Sequence, residues 1–314
     1  IQNSIYGVDI ERGAVDIARL RFWLSLVVDE PEPQALPNLD YKIVVGNSLI
    51  SKLGDDVIEI DWEIKPTNHG LFGAEEAKSI KNILKQLTEL QKNFFKPNAP
   101  KKSLAPKIRN LKIELLIQQL NLMIISGKAK EHKPSGNKNS TVAKTQHDLK
   151  IANYKNKINS LEALKTKPEQ ALEFFDWQLN FAEVMNKEVS ENGKIGFDIV
   201  IGNPPYINIK NQSEETRSVL KNNFNLSQGA DIYVGFLEVG FQLLKENQPL
   251  AYIIPNKFFG ADYGKLIRKE INAKKSILAI WDLKDVKVFE NAQISTIVFI
   301  CSDKRPNYKT KIKT

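Results

Sequence analysis

A chain of 314 residues with 42% hydrophobic and 26% charged side chains has the make-up of a folded protein of about two domains, not of a disordered or fibrous one. Its apolar runs, such as Ile297–Cys301, fall far short of the roughly 18 residues of a membrane span, and its single cysteine, Cys301, excludes an intrachain disulfide and a cysteine-rich zinc site. The net charge of +8 is local: residues 62–180 hold 21 Lys/Arg against 11 Asp/Glu, a net of +10, and the remainder is −2.

No basic n-region with an apolar h-region opens the chain, so no signal peptide and a reducing cytoplasmic setting are expected. The first residue is Ile1, not methionine, and the expectation is a piece of a longer protein. All three histidines, His69, His132 and His147, lie in the basic tract. The flanking parts therefore lack the residues of a Ser-His-Asp or Cys-His nucleophile, and no metal site is expected there.

In chain order, Ile5–Ile10 reads as a short buried strand ending in an acid. Residues 11–28 follow with Ile17, Leu20, Leu24 and Val27 at helical spacing. Pro31–Asn38 is a loop and Tyr41–Val45 a second strand, closed by Gly46-Asn47. Strand, helix and strand with short connections make a βαβ unit of a parallel sheet.

The basic tract has three helical stripes. They are Ile80, Leu84, Leu87, Leu90, Phe94; then Leu104, Ile108, Leu111, Leu115, Leu122, Ile125; then Ile151, Tyr154, Ile158, Leu161, Leu164. Stripes of this kind are packing faces. Residues 96–102 and the Lys/Asn/Gly/Ser-rich 127–140 read as the loops between them. The tract predicts a helical hairpin or small bundle set into an α/β domain.

The α/β pattern resumes with a strand at Phe197–Gly202, a helix at Asp231–Leu244, a strand at Leu250–Pro255 and a helix at Asp262–Ala273. Strands at Ile277–Leu283 and Ser295–Cys301 end it. Runs apolar throughout predict a sheet covered on both faces.

The segment with the most chemistry is Asn203-Pro204-Pro205-Tyr206, directly after the Phe197–Gly202 strand. Ligands of open α/β sheets bind beyond the carboxyl ends of strands. Two prolines fix two successive φ angles and remove two donors, leaving a stiff loop whose carbonyls are free to accept. Asn203 adds an acceptor and Tyr206 a flat ring with a polar tip. Such a set grips a planar amino group. The bland alternative is a proline turn ending a strand.

Gly202–Tyr206 (GNPPY) resembles the catalytic motif of S-adenosylmethionine-dependent N6-adenine DNA methyltransferases. The similarity extends along the chain in the order of that family's gamma arrangement, and within it toward the large fused type IIG restriction–modification methylases. Ile5–Glu11 (IYGVDIE) resembles the strand end whose acid binds the cofactor ribose, which points to Asp9 with Ile10. Gly46–Leu49 (GNSL) resembles the segment that contacts the cofactor adenine, pointing to Asn47 and Ser48; the family often has Asp where Asn47 stands. The stretch Asp231–Glu238 (DIYVGFLE) resembles the helix whose aromatic packs on the cofactor, here Phe236. Val288–Ile300 (VFENAQISTIVFI) resembles the motif whose aromatic stacks on the flipped target base, here Phe289. Taken alone, Asp9 is an acid terminating a strand and Phe289 a loop aromatic. For Asn47 a plain turn role and a cofactor role stand level.

The resemblance covers about residues 1–60 and 175–305. It implies an α/β, Rossmann-like methyltransferase sheet with a helical insertion, divided as residues 1–61, 62–174 and 175–314. It further implies S-adenosylmethionine as cofactor and double-stranded DNA as partner, with no membrane. Nuclease and target-recognition domains fused outside the chain stay open. The family's glycine-rich cofactor loop lies about 20 residues before the ribose-binding acid. Asp9 leaves no room for it, so the sheet is expected to lack its central first strand, between Ile5–Ile10 and Phe197–Gly202, and the chain alone to be inactive. Two other readings stay open. Release-factor glutamine methyltransferases carry the same Asn-Pro-Pro-Tyr word for a glutamine amide, and a non-catalytic binding or scaffold piece needs no chemistry.

Overall fold

The computed structural model describes residues 4–29, 39–54, 56–64, 74–96, 98–129, 138–190, 193–224, 226–227, 229–274, 276–283 and 295–302. They fall into two units, one of residues 1–46 and 52–189, the other of residues 47–51 and 190–314.

In the first unit β1 (Gly7–Asp9) and β2 (Ile43–Val45) pair in parallel, Gly7 across from Ile43 and Asp9 across from Val45. Helix α1 (Arg12–Asp29) connects them, giving the expected βαβ unit. The helix packs through Val15, Ala18, Phe22 and Trp23 onto Leu39 and Ile43. The expected stripe of Ile17, Leu20, Leu24 and Val27 is instead 45–60% exposed. The helix is apolar on more than one side, so periodicity identified it without deciding which side meets β2. Arg19 fixes that choice: Nε and Nη2 donate to the Ile43 carbonyl at 3.0 and 2.6 Å, and Nη1 lies 3.3 Å from the Asp40 carboxylate.

A hairpin of β3 (Lys52–Leu53) and β4 (Asp56–Val57) follows. Then come α2 (Ala74–Phe94), α3 (Lys101–Ala129) and α4 (Lys138–Lys165). Leu84, Leu87, Phe94, Leu104, Ile108, Leu115 and Leu161 are buried in one cluster, so the three stripes are packing faces. The cluster also takes in Ile58, Leu179 and Ala182. Burying such side chains contributes roughly 1.5–3 kcal/mol each, which explains how a lysine-rich tract holds together. The expected loop 127–140 is narrower, because α3 continues through Ala129 and α4 starts at Lys138. Once a helix is nucleated, each further residue adds a hydrogen bond at little cost, and polar composition alone does not stop it. Residues 130–137 and the expected loop at 31–38 lie outside the described residues. Two short helices, α5 (Trp177–Asn180) and α6 (Ala182–Met185), complete the unit; the Asp176 carboxylate caps α5 by accepting from the Gln178 and Leu179 amides, each at 2.9 Å.

The second unit holds a four-stranded sheet ordered β5 (Val200–Gly202), β6 (Pro249–Pro255), β8 (Thr296–Ser302), β7 (Ser276–Asp282). The β5–β6 pair is parallel, and β8 runs antiparallel to both β6 and β7. The last strand in sequence is thus inserted between its two predecessors. Strands β6 and β8 are mostly buried, but Ile201 of β5 is 77% exposed, so β5 departs from the expected two-sided burial. It is an edge strand, bonded only to β6 among the described residues, just as β1 is bonded only to β2. Phe197, expected to open β5, bonds instead to Leu243 and Lys245. Helices α7 (Glu214–Asn223), α8 (Tyr233–Leu243) and α9 (Lys265–Lys274) join these strands. The sequence reading did not single out α7, although the Ser213 hydroxyl accepts from the Thr216 amide as its cap and Leu220 is buried. Among the described residues no helix is long and apolar enough to cross a membrane. The structure is therefore α/β with a helical bundle, as the sequence implies.

One charge in the first core is in excess. Buried Lys42 pairs with half-buried Glu183 at 2.8 Å. Lys112 is buried as well, 5.5 Å from the Tyr41 ring centre, and burial pushes its ammonium down to about 8 against the pull of Glu183. A lysine pKa depressed by folding makes the unfolded chain hold more protons between about 8 and the ordinary 10.5, so stability rises with pH across that window. Lys112→Met should stabilise the fold at pH 7 by about 1–3 kcal/mol and flatten the stability–pH curve above pH 8, measured by urea unfolding at a series of pH values.

Candidate active site

The parallel register of β5 and β6 sets Gly202 directly across from Tyr252. A Cβ on Gly202 would lie 3.0 Å from the Tyr252 ring. One on Gly240 of α8 would overlap Leu250 and sit 2.6 Å from the Tyr252 hydroxyl. Two glycines therefore make room for one buried ring, and α8 and β5 both close down on it. Burial raises the Tyr252 phenol above its ordinary range.

The chain leaves β5 into Asn203-Pro204-Pro205-Tyr206. Asn203 and Pro205 are exposed, Pro204 is buried and Tyr206 half-buried. The Tyr206 hydroxyl donates between the Ile253 carbonyl, at 3.1 Å, and Asn203 Oδ1, at 3.3 Å. The loop is thus pinned to the neighbouring strand, with the Asn203 side chain at the surface. The Tyr206 ring meets Tyr233 edge-on at 6.3 Å. Burial pushes the Tyr206 phenol up to about 12, so it stays a donor at neutral pH. Sequence reasoning brought Asn203, Pro204, Pro205 and Tyr206 together by adjacency; the structure adds what holds them.

Beside the loop lies a polar cluster that the sequence reading did not single out. Residues 207–209 pair with 230–232: Ile209 N donates to Ala230 O and Ile232 N to Ile207 O, each at 2.8 Å. Asp231 is 3% exposed. Its Oδ1 accepts from Asn208 Nδ2 at 3.3 Å, and its Oδ2 from the Tyr263 hydroxyl at 3.3 Å and from Lys257 at 2.5 Å. The Tyr233 and Tyr263 hydroxyls lie 3.4 Å apart. Asp231 raises the Lys257 ammonium, and burial chiefly raises the Tyr263 and Tyr233 phenols. The available signal was a polar Pro-Asn-Lys sequence directly after an apolar strand, at residues 255–257.

The residues expected to hold a cofactor are divided between the units. In the first, Asp9 ends β1 exposed, its Oδ1 accepting from the Glu11 amide at 2.8 Å; Ile10 beside it is 64% exposed. Gly46 N donates to Asp9 O at 2.9 Å, and a Cβ on Gly46 would overlap the Phe175 ring. In the second, Asn47 Oδ1 accepts from the Leu49 and Ile50 amides at 2.9 and 3.3 Å, so the turn role is filled and its Nδ2 remains as a donor. Ser48 and Phe236 are half-buried. Leu49 packs on Gly235, next to Phe236: a Cβ on Gly235 would lie 3.5 Å from Leu49 Cδ2. Phe289 lies outside the described residues.

Comparison with known proteins bears on this site. The model of the Eco57I restriction-modification methylase family matches residues 3–289. The chain belongs to that family. Over 98% of its length it is 28% identical to a type II restriction enzyme and methyltransferase candidate of Methanocaldococcus jannaschii, RM.MjaORFECS2P, covering 26% of that protein. It is 29% identical to the type II methyltransferase M.AccI of Acinetobacter calcoaceticus over 46% of the chain and 28% of the relative. The chain thus spans about a quarter of the length of these relatives. A solved class I S-adenosylmethionine-dependent methyltransferase candidate from Listeria monocytogenes matches 76% of the chain and 90% of its own, at 13% identity and a TM-score of 0.31.

Gly240 tests the scaffold. Gly240→Ala should lower stability by about 1–3 kcal/mol through overpacking against Leu250 and Tyr252, read as a drop in the urea midpoint. Gly13→Ala, where a Cβ meets nothing within 4 Å, should show no such loss.

Proposed function

We propose that this chain is the methyl-transferring part of a restriction–modification enzyme that moves a methyl group from S-adenosylmethionine to N6 of an adenine flipped out of duplex DNA. The observation that carries the reading is the Asn-Pro-Pro-Tyr loop at the carboxyl end of β5, its tyrosine hydroxyl bonded to Ile253 O and its asparagine exposed beside it.

The residues that the resemblance assigns to the cofactor carry groups that suit it, each taken in its own unit. Asp9 has a second carboxylate oxygen for ribose hydroxyls, with Ile10 exposed next to it. Asn47 has an amide donor and Phe236 an aromatic face, and Ser48 stands next to Asn47. When bound, S-adenosylmethionine supplies an electrophilic methyl on its sulfonium. The protein's share is to hold the acceptor. Adenine's amino group is paired in a duplex, so the base must leave the stack, at a cost of a few kcal/mol. Aromatic stacking returns roughly 1–3 kcal/mol per base; Tyr206 and, by the resemblance of its segment, Phe289 are the aromatics assigned to it. Asn203 Oδ1 turns from Tyr206 to the substrate and, with the Pro204 carbonyl, accepts the two N–H bonds. That favours a tetrahedral nitrogen whose lone pair points at the methyl carbon. When bound, the cofactor would give up this methyl and leave as the neutral thioether, and the amino proton would pass to solvent. Catalysis then rests on positioning and fixed dipoles.

In the intact enzyme, Asn203→Ala should lower kcat by at least about 100-fold with cofactor affinity nearly unchanged, measured by tritiated-methyl transfer and calorimetry. Wild-type turnover would remove Asn203 from the mechanism.

The basic tract gives a second expectation. No acidic residue occurs between Glu89 and Glu114, and Lys92, Lys96, Lys101, Lys102 and Lys107 are exposed around the α2–α3 turn. Elsewhere in the tract lysines pair, as Lys81 with Glu188 and Lys165 with Glu114. If these lysines meet phosphates, changing all five to Gln should flatten the log K versus log[salt] slope for duplex binding by about 0.9 for each phosphate no longer neutralised. An unchanged slope would make the turn a solvated surface.

A further inference from the structure

We propose that the buried Asp231 carboxylate is the positioning residue of the Asn203–Tyr206 loop, and that Lys257 and Tyr263 serve by holding it. The proposal rests on the functional reading above and deepens it.

Asp231 does not touch the position proposed for the substrate; it acts on the segment that follows the loop. Its Oδ1 takes a hydrogen bond from Asn208, two residues beyond Tyr206, and Asn208 also donates to Gly229 O at 2.7 Å. The amide bonds at Ile209 and Ile232 complete a short bridge around this carboxylate. Its Oδ2 takes Lys257 and Tyr263, which stand after β6, and the carbonyl that anchors Tyr206 belongs to Ile253 of the same strand. The exit of the loop and the anchor of its tyrosine are therefore referred to one carboxylate. Tyr233 adds a further link, with its hydroxyl near Tyr263 and its ring edge-on to Tyr206. A carboxylate 3% exposed is strongly unfavourable without partners, so the three donors are obligatory neighbours. Because they come from residues 208, 257 and 263, satisfying the charge fixes the segment that carries the catalytic group. A displacement of about 1 Å at such a group lowers turnover on the order of 100-fold.

The test has a physical and a kinetic arm, both on the intact enzyme. In the first, hydrogen exchange is followed at the Ile209 and Ile232 amides and at the β6 and β8 amides. Asp231→Ala should speed exchange at the first pair by at least about tenfold and leave the strands unchanged. In the second, Asp231→Ala should lower kcat on the order of 100-fold while KM for S-adenosylmethionine stays within about threefold. Asp231→Asn sets an amide N–H against the Lys257 ammonium and should fall similarly. Adding Lys257→Met to Asp231→Asn removes that clash and should recover most of kcat. Exchange and kcat of Asp231→Ala within about twofold of wild type would overturn the proposal. So would a uniform rise in exchange with kcat falling only as the folded fraction, since that is the signature of plain destabilisation. Asn203→Ala, run alongside, separates the two ideas. If it keeps full turnover, the loop is not catalytic, while the exchange arm still decides whether Asp231 orders it.

Discussion

A carboxylate taken out of water must find donors, and in the second unit that requirement falls on Asp231. Its two oxygens collect an asparagine from the segment after the proline loop, a lysine from the end of β6 and a tyrosine further on. Burying an unpaired charge costs several kcal/mol, so these segments cannot drift apart independently. The neighbouring Tyr206 bond to Ile253 O and the two amide bonds of residues 207–209 and 230–232 lie within the same patch. The exposed Asn203 is thereby presented from a fixed base.

Beneath that polar layer the packing is apolar and close. Tyr252 fills the space left by Gly202 and Gly240, and its register partner is the residue that precedes Asn203. The prolines add stiffness without donors.

The first unit solves a different problem. Its lysine-rich helices cohere because leucines and isoleucines at helical spacing form one buried cluster, while most lysines stay at the surface. Among the buried lysines, Lys42 pairs with Glu183 and Lys157 with Asp56, whereas burial depresses the proton affinity of Lys112. A core that retains such a cation gives up stability at neutral pH.

Most of the elements were legible in the sequence, because hydrophobic spacing is a local property: the βαβ start, the three helical stripes and the strands of the second sheet can be read from residues a few positions apart. The Asn-Pro-Pro-Tyr loop was legible too, since its chemistry is contiguous and proline fixes its backbone wherever it occurs. Strand order was not, because the insertion of β8 between β6 and β7 is set by pairing between distant segments. Nor was the side of α1 that packs, since Ile17, Leu20 and Leu24 are as apolar as Val15 and Phe22; Arg19 reaching Ile43 O decided it. Asp231 opens a stretch read for its aromatic, and Lys257 and Tyr263 look in sequence like ordinary surface residues. Only the tertiary fold brings them onto one buried carboxylate, because a charge's partners are chosen by distance in space and not along the chain.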